Sequence, residues 1–293
     1  MTNYPKVSVV TITYGHEQYI SQMLDGVLMQ NYRGEIEFII ANDNSPDGTD
    51  EIVKNYFVEK SVPANYTIKY TRHEVNKGIM RNFSWALKQA SGKYIALCEG
   101  DDYWIDSLKL QRQVFFLEEK KEYVLTSHRR IIVNQDSRQV LDSTLSTADF
   151  NTQCLLFRNV LKDDFLNYDM DGIINGDTFL LLYLNNFGKF KIMDFEGAAY
   201  RVSSAGIWSL TPRDRRIEIT LDSFLNILKF FNEFGYGLSA QTVKKYIVDN
   251  RTNYMINADK ASRKELISLL IDAIATKDLN RVKSVIKIIY DKW

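Results

Sequence analysis

The chain has 293 residues with 37 basic and 37 acidic side chains, so nothing in its overall charge points to a nucleic-acid partner. The length allows a large core in one or two domains. No segment contains the roughly 20 apolar residues that a membrane span requires, and the N-terminal pattern is not that of a signal peptide. The two cysteines, Cys98 and Cys154, lack the spacing of a metal site. We therefore expect a cytoplasmic protein, or one held peripherally at the inner face of the cell membrane.

The first 108 residues alternate between strand and helix patterns. Short β-branched or apolar runs predict strands at 7–13, 36–43, 67–73 and 93–100. Apolar residues at helical spacing predict helices at 17–30 and 77–90, with another helix following the turn that ends at Gly48. This alternation predicts parallel strands joined by right-handed crossovers. Such sheets bind their ligands beyond the carboxyl ends of the strands.

The rest of the chain passes from mixed structure to helices alone. The patterns predict a helix at 108–120, a strand at 123–134, an irregular region at 135–175, an apolar helix at 176–188 and a strand at 191–202. After Arg213 they predict only amphipathic helices, at 215–234, 239–257, 262–275 and 278–291. We expect the apolar stripes of these helices to pack on the first region or in a homodimer. The alternative is contact with an anionic membrane surface.

Acidic side chains follow two of the predicted strands. Asp43 ends the second strand, where it can accept a hydrogen bond from a base or a ribose; it can equally be a turn residue. Glu99, Asp101 and Asp102 follow the fourth strand around Gly100. Three carboxylates this close repel one another, and an oxygen-coordinated Mn²⁺ or Mg²⁺ would relieve the repulsion. The alternative is a solvated acidic turn.

Three further positions carry candidate chemistry. Asp177 opens the apolar helix and is either a general base or a helix N-cap. Arg201 ends the last strand and can neutralise a diphosphate, and Trp208 can stack on a sugar or another part of an acceptor. The three histidines are too scattered for a metal triad, so we expect them to be structural or solvent-facing.

Together these motifs resemble glycosyltransferase family 2. VSVVTITYGHEQYI resembles the opening strand of the family, FIIANDNSPDGT its second-strand segment and YIALCEGDDYW its acidic DxD strand, and Gly176-Asp177 occupies the position of its ED motif. The resemblance implies a GT-A fold, a Rossmann-like, mostly parallel sheet flanked by helices, here with an all-helical C-terminal extension. It implies a catalytic domain at 1–212, with a nucleotide-binding half at 1–108 and an acceptor-binding half at 109–212, and a helical region at 213–293.

The family also implies a reaction and residue roles. It implies metal-assisted, inverting transfer from a UDP-sugar to a hydroxyl of a glycan or lipid-linked acceptor, as in bacterial polysaccharide biosynthesis. The implied nucleotide-binding residues are Thr13, Tyr14, Asp43, Arg81, Asn82, Glu99 and Asp102. Asp101 would bind the metal and Asp177 would be the base. Departures from the family pattern are Gly15 after the tyrosine, Glu99 for aspartate, Gly176 beside the base and Ser203-Ser204 after Tyr-Arg.

Two other function classes fit less well. A non-catalytic nucleotide-sugar-binding protein would share the fold, and turnover would separate it from an enzyme. A nucleotidyltransferase would need a glycine-rich basic loop after the first strand, and TYGHEQY is not one.

Overall fold

A computed structural model describes residues 4–140, 150–202, 212–257, 263–276, 282–283 and 285–287. The chain divides into two compact units. The first comprises Met1–Asp171 and Phe187–Gly206, and the second comprises Gly172–Asn186 and Ile207–Trp293. This division differs from the predicted boundary at residue 212, because residues 172–186 belong with the C-terminal helices. Hydrophobic periodicity identifies the buried face of a helix, but it does not identify the element against which that face packs.

The first unit contains one eight-stranded sheet in the order β3-β2-β1-β4-β7-β6-β8-β5. Its strands are β1 (Val7–Thr13), β2 (Ile36–Asn42), β3 (Tyr66–Arg72), β4 (Tyr94–Leu97), β5 (Tyr103–Trp104), β6 (Tyr123–Val133), β7 (Leu156–Arg158) and β8 (Lys189–Arg201). β1 pairs in parallel with β2 and β4, as does β2 with β3 and β6 with β8; the remaining pairs are antiparallel. The predicted mostly parallel α/β sheet is confirmed.

Helices complete the first unit. They are α1 (Ile20–Leu28), α2 (Thr49–Glu59), α3 (Ile79–Lys88), α4 (Lys109–Glu119) and the short α5 (Asp163–Leu166). The buried side chains of α1 and α4 join those of β1, β2 and β4 in one hydrophobic core. Gly26 lets α1 approach β5 closely, because a Cβ there would lie 2.8 Å from the backbone nitrogen and oxygen of Trp104. These contacts hold the segment that follows β4 in a fixed position.

The second unit is helical. It comprises α6 (Gly176–Leu184), α7 (Arg213–Glu233), α8 (Gly237–Asn257) and α9 (Arg263–Ala275). Phe179 of α6 makes edge contacts with Phe230 and Phe231 of α7, with ring centroids 4.9 and 5.7 Å apart. This aromatic packing explains why α6 groups with the C-terminal helices.

The last predicted helix, at 278–291, lies mostly outside the described residues. Its described parts, 282–283 and 285–287, are helical. Val285 is fully buried and packs with Val248 of α8 and with Leu269 and Ala273 of α9. At least part of this apolar stripe is therefore used for packing within the second unit. Among the helices that the structure describes, none has the length and apolarity to cross a membrane.

Candidate active site

The carboxyl ends of β1, β2 and β4 bring Asp43 and the acidic turn to the same edge of the sheet. Asp43 donates its backbone N–H to the carbonyl of Thr13 at the end of β1 (2.9 Å). On the other side of β1, the backbone N–H of Gly100 donates a hydrogen bond to the carbonyl of Ile12 (3.1 Å). β1 therefore separates Asp43 from the acidic turn, and both lie at the edge of the sheet where ligands of parallel strands bind.

Three carboxylates crowd the turn after β4. One oxygen from each of Glu99, Asp101 and Asp102 lies within 4.8 Å of the others. Burial raises the pKa of Asp102 well above its usual value, and the charges of Asp101 and Glu99 raise it further. A divalent cation prefers oxygen ligands and would relieve this repulsion, so the donor set fits Mn²⁺ or Mg²⁺.

The three acidic residues differ in exposure. Glu99 and Asp101 are partly exposed, whereas Asp102 is buried. The carboxylate of Asp102 accepts a hydrogen bond from the backbone N–H of Arg201 (2.8 Å), which fixes the turn to the end of β8. Glu99 and Asp101 are therefore accessible to a ligand, whereas the buried Asp102 stabilises the turn through its hydrogen bond to β8.

Asp43 is 3% exposed, and its side chain binds the backbone of the loop before α3. Its two carboxylate oxygens accept hydrogen bonds from the backbone N–H groups of Lys77 (2.7 Å) and Gly78 (2.9 Å). A carboxylate has about four acceptor positions, so this arrangement leaves capacity for a further donor. Asp43 thus sets the position of the loop before α3, and its contact with the base stays a prediction.

The other predicted nucleotide-binding residues occupy different environments. Thr13 is buried, and Tyr14 is 48% exposed at the end of β1. Arg81 is exposed and forms ion pairs with Asp169 (3.4 Å) and Asp171 (3.6 Å). It lines a cleft of about 470 Å³ along α3 that does not include the acidic turn.

Asn82 is buried and has protein partners on both sides of its amide. Its Nδ2 donates to the carbonyl of Ala41 (3.1 Å), and its Oδ1 lies 3.0 Å from Nε2 of His73. The amide therefore joins α3 to β2. This geometry favours a structural role for Asn82 over the predicted contact with the base or phosphates.

Arg201 is 3% exposed, and its guanidinium is held by the protein. Nε donates to the carbonyl of Asp101 (2.9 Å) and Nη2 to Oε1 of Gln22 (2.7 Å). Nη1 donates to the carbonyls of Asn134 and Gln135, both at 3.0 Å. The geometry favours a structural role for Arg201 over the predicted contact with a diphosphate or acceptor. Trp208 lies outside the described residues.

Comparisons with known proteins identify the family of this chain. Residues 8–176 match the family model described as Glycosyl transferase family 2. The chain belongs to this family. An uncharacterised Mycobacterium tuberculosis protein, Rv1520, is 31% identical over 244 residues, which is 80% of this chain and 66% of the relative. The chain thus spans slightly less than two thirds of that relative's length.

Two solved structures share the fold of this chain. TarS of S. aureus, residues 1–349 in complex with UDP-GlcNAc, gives a TM-score of 0.61 at 17% identity over 96% of this chain and 90% of that one. The mannosyltransferase PcManGT of Pyrobaculum calidifontis, in complex with GDP-Man and Mn²⁺, gives 0.60 at 14% identity over 99% and 88%. At these identities the likeness shows the GT-A fold.

The residue at the family's ED position lies in the second unit. Asp177 is the second residue of α6, and Asn175 is the flanking N-cap residue. The alternative interpretation of Asp177 as the N-cap is therefore wrong. Its exposed carboxylate accepts the N–H of Thr178 (2.6 Å) and lies in the first helical turn, where the helix dipole favours negative charge. Its role as the base stays a prediction.

One residue beside the acidic turn was missed by the sequence analysis. Nε2 of His16 lies 4.0 Å from Oδ2 of Asp101, and Nδ1 lies 3.1 Å from Oγ1 of Thr13. The position of His16 just after β1 is the only signal in the sequence, since residues that follow a strand of this type reach the ligand-binding edge. His73 and His128 are buried, as expected of structural histidines.

Proposed function

We propose that the protein transfers a sugar from a UDP-sugar to a hydroxyl of a glycan or lipid-linked acceptor, with inversion at the anomeric carbon. The observation that carries the proposal is the cluster of three carboxylates at the end of β4, across β1 from Asp43. This is the edge of a parallel sheet where a nucleotide and its diphosphate would bind. The membership of glycosyltransferase family 2 gives the reaction class.

The donor base would lie between the ends of β1 and β2. Tyr14 is exposed and available for stacking on a base, while Asp43 retains acceptor capacity for the N3–H of uracil. Thr13 would border the nucleotide, and Arg81 could approach it from α3. A guanine also offers N–H donors to a carboxylate, so a GDP-sugar is the alternative donor.

The diphosphate would lie at the acidic turn. Asp101 would hold the cation, and Glu99 would lie near the ribose. When bound, a divalent cation stabilises the negative charge that develops on the departing diphosphate. Asp102 and Arg201 would contribute by keeping the turn rigid, because preorganised charges cost no rearrangement during the reaction. Mn²⁺ and Mg²⁺ are the candidates, since carboxylates are the main ligands here.

Asp177 would act on the acceptor. A general base must be ionised and able to reach the hydroxyl that it deprotonates. The carboxylate of Asp177 is exposed in the first turn of α6, so an acceptor hydroxyl could approach it from solvent. As the acceptor hydroxyl attacks the anomeric carbon, Asp177 would take its proton. One displacement of this kind inverts the anomeric configuration.

A panel of nucleotide sugars tests the donor part of the proposal. The full chain would be incubated with UDP-glucose, UDP-GlcNAc, UDP-galactose and GDP-mannose, with Mn²⁺ or Mg²⁺, and release of each nucleotide would be measured. We expect release from one or more UDP-sugars. Release from GDP-mannose alone would move the proposal to a guanosine donor, and no release from any sugar with a range of glycan acceptors would count against transfer activity.

Peripheral membrane contact is the part of the proposal that concerns the C-terminal helices. Lys283 and Lys287 are exposed on the last described helical segment and could approach an anionic surface. Flotation with anionic liposomes would compare the wild type with a Lys283→Glu, Lys287→Glu double variant. Weaker flotation of the variant supports surface contact. Equal flotation of the wild type and the variant would indicate that these helices serve only packing or dimerisation.

A further inference from the structure

His16 is held next to the acidic turn by both its backbone and its ring. Its N–H donates to Oγ1 of Thr49 (3.0 Å), and its carbonyl accepts the N–H groups of Tyr19 and Ile20 (both 2.9 Å) at the start of α1. The side chain also packs on Gly100, where a Cβ would lie 2.6 Å from Nδ1 of His16. The imidazole is therefore positioned before any ligand binds.

The hydrogen bond to Thr13 bears on which ring nitrogen is available. Nδ1 of His16 lies 3.1 Å from Oγ1 of the buried Thr13. If Nδ1 carries the proton and donates it to this hydroxyl, Nε2 keeps its lone pair and lies on the side of Asp101. Histidines that bind metals commonly donate their other N–H to a protein oxygen in this way, because the hydrogen bond fixes the tautomer and the ring orientation.

The separation from Asp101 suits a shared cation better than a direct hydrogen bond. Nε2 lies 4.0 Å from Oδ2 of Asp101, which is too long for a hydrogen bond. Two ligand atoms at about 2.1 Å from one octahedral ion lie about 3.0 Å apart when adjacent and about 4.2 Å apart when opposite. The observed distance falls within that range. The side chains of His16 and Asp101 are 23% and 34% exposed, so an ion can reach both.

We propose that His16 is a further ligand, through Nε2, of the divalent cation that Asp101 holds. The inference rests on the proposed function, because it requires a cation at the acidic turn. It adds a nitrogen donor to a site that is otherwise built from carboxylate oxygens. Imidazole suits transition metals better than Mg²⁺. The site should therefore prefer Mn²⁺ or Co²⁺ to Mg²⁺, and His16 should be the origin of that preference.

Binding and spectroscopy of Mn²⁺ test the inference without relying on turnover. The full chain with UDP would be titrated with Mn²⁺ and with Mg²⁺ in competition, and the bound Mn²⁺ would be examined by pulsed electron paramagnetic resonance for coupling to an imidazole nitrogen. The variants are His16→Gln and, as a control in the same loop, Glu17→Gln. Among the described residues, the side chain of Glu17 accepts one hydrogen bond, from the N–H of Gly48 (2.7 Å), and a glutamine can keep that bond. His16→Asn provides a second variant if His16→Gln folds poorly.

The expected result is specific to His16. The wild type and Glu17→Gln should show the nitrogen coupling, and the His16 variants should lose it. The His16 variants should also bind Mn²⁺ about 10-fold or more weakly and lose most of the preference for Mn²⁺ over Mg²⁺.

Two results would overturn the inference and are distinguishable. In the first, the His16 variants keep the nitrogen coupling and the Mn²⁺ affinity of the wild type, while Asp101→Ala loses Mn²⁺ binding. This result would exclude His16 as a metal ligand and leave the proposed metal site at Asp101 intact. A wild-type protein that binds no Mn²⁺ in the presence of UDP would overturn both this inference and the metal-assisted part of the proposed function.

Discussion

Replacing Arg201 with methionine is expected to destabilise the first unit severely. Methionine keeps much of the apolar stem but removes every guanidinium donor. The Arg201 guanidinium also lies over the rings of Tyr19 and Tyr103, at 4.3 and 5.5 Å from their centroids. Loss of the side chain therefore affects the acidic turn, the start of α1 and the turn after β6 together.

The magnitude follows from the acceptors that the substitution leaves behind. The guanidinium donates to three backbone carbonyls and to the side chains of Gln22 and Ser137, and the site excludes most water. A hydrogen bond from a charged group contributes about 1.5–3 kcal/mol, and such contributions do not add when the groups share one site. Because breaking a buried charged network typically costs about 3–5 kcal/mol, we expect the free energy of unfolding to fall by that amount. This is a large part of the roughly 5–15 kcal/mol that stabilises a domain.

Urea denaturation followed by tryptophan fluorescence measures this loss, since Trp104 is buried in the same unit. Arg33→Met is the matched control, because among the described residues the exposed Arg33 guanidinium donates one side-chain hydrogen bond, to the hydroxyl of the partly buried Tyr4 (3.3 Å). It should change the free energy of unfolding by less than about 1 kcal/mol. Arg201→Lys should give an intermediate loss, because an ammonium cannot reproduce the planar fork. If Arg201→Met unfolds within 1 kcal/mol of the wild type, Arg201 does not hold the turn and its predicted contact with the diphosphate regains support.

Three further predictions concern donor binding, catalysis and pH. Asp43→Asn should weaken UDP binding by calorimetry about 10- to 100-fold, because it removes a charged acceptor; unchanged affinity would exclude Asp43 from the base site. Asp177→Asn should lower the turnover rate about 10²- to 10⁴-fold with UDP affinity near that of the wild type, and turnover at the wild-type rate would place the base elsewhere. Burial opposes ionisation of Glu37, but hydrogen bonds from Lys69, Ser8 and Ser91 outweigh it and lower the pKa of Glu37 to about 2. The folded-state pKa lies below the ordinary glutamate value of 4.5, so the stabilisation should be present above pH 4.5 and lost as the pH falls towards 2. Glu37→Gln should flatten this part of the stability profile, and an unchanged profile would exclude Glu37 as its source.

The sequence is most informative where local pattern and fold agree. β1 and β2 are continuous buried runs, and the acidic turn follows a third, so their common edge could be predicted before any coordinates. β5 and β7 could not be predicted, because they contain two and three residues and exist through long-range pairing with β8, β4 and β6. Strands this short have too few residues for a periodic signal.

Some side chains of the site could likewise be predicted from the sequence, and others could not. The residue types at Asp43, Glu99 and Asp101 suggested their chemistry, and the fold brings them to one edge of the sheet. The hydrogen bonds of Arg201 could not be predicted, because a sequence does not show that a charged side chain is buried among backbone carbonyls. His16 was missed because its distance to Asp101 depends on the pairing of β1 with β4. Tertiary pairing of this kind is not encoded in any local pattern.

Metal-dependent release of UDP from a UDP-sugar, measured for the wild type and for Asp101→Ala, tests the central claim most directly. The wild type should release UDP in the presence of Mn²⁺ or Mg²⁺ and a suitable acceptor, and excess EDTA should stop the release. Asp101→Ala should be inactive while its circular dichroism spectrum and thermal unfolding remain close to those of the wild type. Full wild-type activity in excess EDTA, or full activity of a folded Asp101→Ala variant, would contradict transfer assisted by a cation at the acidic turn.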